Sequence, residues 1–163
     1  MARVLIAGVG NVLRGDDGFG PTVIAALEEA GGLPADVMTA DCGIGGFSLV
    51  RELLDGYDAL VVVDAVDRGG PPGTLYVLEP EVPAVATIPE MERRAVAADM
   101  HQAIPDRALL VAGAAGVLPR RMWIVGCQPG ETEEFCTALS VPVVRAVAQA
   151  IGIIRTIVEQ VNA

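Results

Sequence analysis

An unbroken run of apolar, largely β-branched residues, Ala59-Leu-Val-Val-Val-Asp64, sets the tightest constraint on how this chain can fold. Apolar and polar positions do not alternate along it, so it reads as a strand covered on both faces. Such a strand needs helices above and below it. That requirement selects an α/β architecture, a three-layer α/β/α sandwich around a twisted, mixed, mostly parallel sheet of about five strands. Arg3-Val-Leu-Ile-Ala7 is a second run of the same kind.

The remaining segments alternate strand and helix signals. Pro21-Thr-Val-Ile-Ala-Ala-Leu-Glu-Glu-Ala reads as a helix, with proline in its first turn and Gly31-Gly32 at its end. Asp36 to Asp41 reads as a strand, Phe47 to Asp55 as a short amphipathic helix stopped by Gly56, and Thr74 to Leu78 as another strand. The turn Gly69-Gly-Pro-Pro-Gly73 is too short for a crossover helix, so Thr74–Leu78 is expected antiparallel to Ala59–Asp64. Residues 80–99, rich in Pro, Ala and acid, read as an irregular excursion. A helix around 104–116, a strand over Arg121–Gly126 and a C-terminal helix capped by Ser140 and running to about Val161 complete the pattern. No repeat or linker divides the chain, and 1–163 is expected to form one domain.

Chemistry enters in the turn after the first strand. Gly8-Val-Gly-Asn-Val-Leu-Arg-Gly-Asp16-Asp17-Gly-Phe-Gly20 has the glycines of a phosphate-binding loop but presents carboxylates, which repel anions and attract cations. A dinucleotide fingerprint needs glycine where Leu13 stands, and the Gly-Lys-Ser/Thr of a P-loop is absent. One acid could simply hydrogen-bond the turn; that role leaves the second unexplained. Asp41 and Asp64 close the next two strands. In an open α/β sheet, ligands bind at the carboxyl ends of the parallel strands, so all these acids are expected on one rim. A carboxylate at the end of a buried strand must be paired, hydrogen-bonded or metal-bound, or else it is destabilising.

His101, the one histidine, precedes the 104–116 helix. Two carboxylates and an imidazole make an O,O,N set suited to a borderline divalent ion such as nickel or zinc, held weakly or transiently with positions left for water. Cys42, Cys127 and Cys136 form no close Cys-x-x-Cys pair, which argues against a disulfide framework or structural zinc. Cys127 and Cys136 read as small buried thiols. A Cys42–His101 nucleophile pair is conceivable, but Cys42 has no evident orienting partner.

The formal charge of −10 disfavours nucleic acid and anionic membranes as partners. No uninterrupted apolar run approaches the ~18 residues of a membrane span. A basic segment leading into a cleavable apolar one is also absent, so a cytoplasmic location is expected.

Gly8-x-Gly10-Asn11-x-Leu13-x-x-Asp16-Asp17-Gly18-x-Gly20, followed by Val-Val-Val-Asp64-Ala and His101-Gln102, resembles the hydrogenase maturation protease family across nearly the whole chain. The resemblance implies an endopeptidase that removes the C-terminal extension of a nickel–iron hydrogenase large-subunit precursor. It also implies that Asp17, Asp64 and His101 are the catalytic and nickel-binding residues, with the nickel carried by the substrate. The chain would act as a monomer on that precursor. Either the acids grip the nickel while water attacks, or they work as an acid–base pair with Asp17 or Asp41 as the base. The sequence lacks the Asp-Thr/Ser-Gly repeats of aspartic proteases, which disfavours the second route. Cys-Gly-Ile-Gly-Gly46 departs from the family's more familiar Gly-Gly-Thr turn, and position 17 is Asp where Glu also occurs. Other readings are a non-catalytic nickel-protein chaperone or metal-sensing module, and a small-molecule enzyme with an acidic metal site.

Overall fold

The computed structural model describes residues 1–98, 105–130, 132 and 135–163. Its core is a five-stranded sheet built from β1 (Val4–Val9), β2 (Val37–Gly43), β3 (Ala59–Ala65), β4 (Leu75–Leu78) and β5 (Arg121–Cys127), in the order β2-β1-β3-β5-β4. All pairings are parallel except β4 with β5. The helices are α1 (Phe19–Ala30), α2 (Gly46–Leu53), α3 (Glu90–Ala98), α4 (Pro105–Ala114) and α5 (Val141–Asn162).

Every residue of β1 is buried, as are the first six of β3, and alternate side chains serve opposite faces. Val4, Ile6, Val61, Val63 and Val125 pack with Phe19, Val23 and Leu27 of α1 and with Val143, Ala150 and Ile154 of α5. Leu5, Ala7, Leu60, Val62 and Ile124 pack on the other side with Leu49 and Leu53 of α2 and Leu109 and Ala112 of α4. This is why the two strands read as continuous apolar runs. α5 is long and apolar enough to cross a membrane. Its buried stripe of Val143, Ala146, Ala150, Ile154, Ile157 and Val158 is instead packed in the first of these clusters.

Two sequence expectations are corrected. β4 does run opposite to β3, but β5 inserts between them and takes the pairing, Leu75 opposite Cys127 and Leu78 opposite Ile124. The region 80–99 is not wholly irregular, because it contains α3 and a 3-10 turn over Val85–Thr87.

The topology also fixes where a ligand can sit. α1 carries the chain from β1 to β2 on one side, and α2 brings it back to β3 on the other side of β1. The strand order therefore reverses between β1 and β3. Helices on opposite faces diverge at such a point and leave a crevice at the carboxyl ends of the strands.

Candidate active site

The turn after β1 is shaped by close backbone approach. Gly20, in the first turn of α1, lies so near the carbonyl oxygens of Val9 and Val63 that a Cβ would overlap both. Helix α1 is thereby seated on the ends of β1 and β3. Gly10, at φ +141°, faces the Asp17 carbonyl, and a Cβ there would overlap it too. Between these glycines the chain folds back on itself. Asn11 N donates to Asp17 Oδ2 at 3.0 Å, Leu13 N donates to Asn11 Oδ1 at 2.9 Å, and Gly15–Gly18 forms a 3-10 turn.

This turn separates the two adjacent acids. Asp16 is wholly buried, with 0% exposure. Its Oδ1 accepts from Ser140 N at 2.6 Å, and its Oδ2 accepts from Ser140 Oγ at 2.8 Å and Gly130 N at 2.7 Å. Asp16 thus fastens the β5–α5 connection to the turn. Ser140 does occupy the N-cap position of α5, but its hydroxyl serves Asp16 and makes no side-chain cap bond. Asp17 is half-buried and keeps its contact with the Asn11 amide.

Asp64 closes β3 beside Gly126 and one residue beyond the Gly8–Val63 pairing, at the point where the strand order reverses. It is 4% exposed. Burial raises its carboxyl pKa well above the usual carboxylate range, and the nearby charge of Asp17 adds to the rise. A hydrogen bond from the Ala65 backbone opposes this, while Asp106, in the first turn of α4, reinforces it. Asp17 therefore lies near enough for its charge to act on Asp64.

Asp41 shares the rim, in register with Gly8, but is exposed and accepts from Gly43 N at 2.9 Å, a local turn contact. The pairing skips Cys42, so β2 bulges beside the site. His101, the third expected ligand, lies outside the described residues, as does Gln102. Among the described residues, no three His, Cys, Asp or Glu side chains gather closely enough to hold a metal ion.

The thiols are poorly suited to nucleophilic work. Burial pushes the Cys42 pKa up to about 12, with help from Glu52 and Asp41 and opposition from Arg51. Burial and the Asp16 charge raise that of Cys127 to about 11, against a hydrogen bond from the Gly73 backbone. Cys127 is buried as expected, whereas Cys136 is half-exposed on the β5–α5 connection.

Gln128 is a residue that sequence reasoning missed. It follows β5 directly and is buried. Its Oε1 accepts from Arg68 N at 2.8 Å, Gly70 N at 3.2 Å and the Tyr76 hydroxyl at 3.2 Å, and its Nε2 donates to Asp67 Oδ1 at 2.8 Å. The β3–β4 loop, which begins just after Asp64, is organised around this one amide. The available sequence signal was a polar residue directly following a buried strand.

Comparison with known proteins places the chain in a family. A family model described as hydrogenase maturation protease matches residues 21–157. The hydrogenase expression/formation protein HupD of Rhizobium leguminosarum bv. viciae is 35% identical over 150 residues, covering 91% of this chain and 70% of that protein. HupD of Rhodobacter capsulatus is 38% identical over 134 residues, covering 82% of this chain, and this chain spans 60% of its length. Among solved structures, the hydrogenase maturating endopeptidase HybD from E. coli superposes with a TM-score of 0.78 at 28% identity, covering 97% of this chain and 93% of that one.

Proposed function

The chain belongs to the hydrogenase maturation protease family, and from that premise we propose that it is an endopeptidase removing the C-terminal extension of a nickel-loaded nickel–iron hydrogenase large-subunit precursor. What supports this reading is that Asp64 closes a strand at the strand-order reversal, with Asp17 near enough for its charge to raise the Asp64 pKa. A buried Asp64 carboxyl with a half-buried carboxylate close by is suited to receive a cation.

We assign that cation as the nickel of the substrate, gripped by Asp17, Asp64 and His101. His101 precedes Pro105 by four residues in the chain, and the helix starting at Pro105 places Asp106 within electrostatic reach of Asp64. Gripping the metal fixes the scissile bond relative to the site, so that attack by water no longer requires a search for geometry. The ion also polarises a carbonyl or acidifies a water bound to it. The raised pKa and burial of Cys42 speak against a thiol nucleophile. The reading includes a monomer working in the cytoplasm.

The test is a cleavage time course on nickel-loaded and nickel-free precursor, followed by intact mass. Wild type should cut only the loaded form. Asp17→Asn, Asp64→Asn and His101→Ala should each lose at least about a hundred-fold in rate, in line with losing one metal ligand or its hydrogen-bonded support. A complex without a mass change would identify a chaperone. Equal cutting of both precursors would remove the recognition role of the three residues.

A further inference from the structure

Beside Asp17 the turn displays apolar side chains in the open. Val12 is 49% exposed and Leu13 51%. A remote segment joins them there: Cys136 N donates to Leu13 O at 3.1 Å, and Gly15 N donates to Cys136 O at 2.6 Å. The residue preceding Cys136 is Phe135, the most exposed large apolar side chain among the described residues at 89%. Its φ is +62°, in the left-handed region that a bulky residue seldom occupies. An aromatic ring in that backbone conformation, open to water, contributes nothing evident to folding.

Scattered apolar residues on a surface need no explanation. These three differ because of where the turn holds them. The Asn11–Asp17 contact closes the loop, so Val12 and Leu13 stand one and two residues from an amide bonded to the Asp17 carboxylate. At about 3.8 Å between successive Cα atoms, Leu13 lies within roughly 8 Å of Asn11 along the chain. An extended peptide covers about 10 Å with three residues. A polypeptide with one bond at Asp17 can therefore reach Val12 and Leu13 within two or three residues of that bond.

We propose that Val12, Leu13 and Phe135 form an apolar platform that docks an apolar segment of the precursor immediately flanking the bond to be cut. The proposal rests on the endopeptidase reading above and specifies what the site recognises besides metal. The acids select charge, and the platform selects the neighbouring side chains. The three residues lie on two segments tied by backbone hydrogen bonds, so the surface is largely formed before the substrate arrives, which lowers the ordering cost of binding.

The experiment uses Leu13→Ser, Phe135→Ser and the double variant, with Leu54→Ser as control. Leu54 is 63% exposed and ends α2, away from the carboxyl rim of the sheet. Cleavage of a purified nickel-loaded large-subunit precursor is followed as a function of its concentration, and binding is measured separately by titration calorimetry. The double variant should raise KM and Kd about ten-fold, the loss typical of removing interface anchors, with kcat within about two-fold. The control should match wild type, and all four proteins should melt together because the substituted side chains are exposed. KM and Kd unchanged in the double variant would overturn the platform. So would a wild-type dimer in sedimentation velocity that the double variant dissociates, because the patch would then be a self-interface. If wild type binds the precursor without cutting it and the double variant loses binding, the platform stands and the protease reading falls. If wild type neither binds nor cuts, both fall.

Discussion

Replacing Asp16 with alanine should unfold this protein far more readily than its position in a surface turn suggests. The side chain is completely buried, and Gly130 N, Ser140 N and Ser140 Oγ all donate hydrogen bonds to it. A hydrogen bond to a charged group contributes about 1.5–3 kcal/mol, and more when its loss strands a buried donor. Here Gly130 is exposed and Ser140 half-buried, so the freed donors regain water and the lower end of the range applies. These three bonds alone give a loss of about 4 kcal/mol. For a domain of this size that corresponds to a fall in Tm on the order of 10 °C. Ser140→Ala, which removes one bond, should cost about 1 kcal/mol. Asp16→Asn should fall between the two, because its amide nitrogen would meet the Gly130 N–H donor against donor.

Urea titrations monitored by circular dichroism supply all three values. The double variant supplies the coupling, which should exceed about 0.5 kcal/mol because the two residues share a bond. The latch would be refuted if Asp16→Ala stayed within about 1 kcal/mol of wild type, or if Asp16→Ala and Ser140→Ala were strictly additive.

Two further outcomes follow from the site's surroundings. Cys42, with its pKa pushed up from 9.0 to about 12, should resist iodoacetamide near pH 8, and Cys42→Ser and Cys136→Ser should keep cleavage. The folded state holds the Cys42 proton more tightly than the unfolded state, so this contribution is complete below about pH 9 and is lost as pH rises toward 12; urea midpoints over that window should fall less steeply in Cys42→Ser. Gln128→Leu should release the β3–β4 loop, seen as faster amide exchange at Arg68 and Gly70 with β5 still protected. The same substitution should raise the Asp67 carboxyl pKa, which the Gln128 amide and the Gly69 backbone hold below its usual range; unchanged exchange and titration would show that the loop is held by other contacts.

How much of this was legible in the sequence depends on whether the cause was local. β1 and β3 were readable because burial on both faces leaves no polar position to interrupt the run. The place of β4 was not, since a short turn fixes the direction of a strand but not its neighbour, and Arg121–Cys127 is the better-buried partner for β3. α3 was missed because its charged, exposed residues carry no core-facing stripe; the Glu90–Arg94 pair, at 2.6 Å and four residues apart, was the available sign. The fates of Asp16 and Asp17 could not be separated in advance. They are chemically identical neighbours, and what distinguishes them lies 114 and 124 residues away. His101 was named from sequence and lies outside the described residues.

The division between the two acids bears on how the site can be selective. If both carboxylates pointed into the crevice, three acids would crowd a poorly hydrated space, and protons would bind there in place of metal. Turning Asp16 inward to Gly130 and Ser140 removes its charge from that competition and stiffens the turn that carries Asp17. What remains is an unequal pair: a half-buried Asp17 and a buried Asp64 whose ionisation Asp17 opposes. A divalent ion arriving with the substrate reverses that opposition, because it favours the charged form of both groups at once. An unmetallated precursor brings no such compensation. On the proposed reading, discrimination between loaded and unloaded precursor therefore needs no moving part. It follows from placing a half-buried carboxylate beside a buried one whose charged form a cation favours.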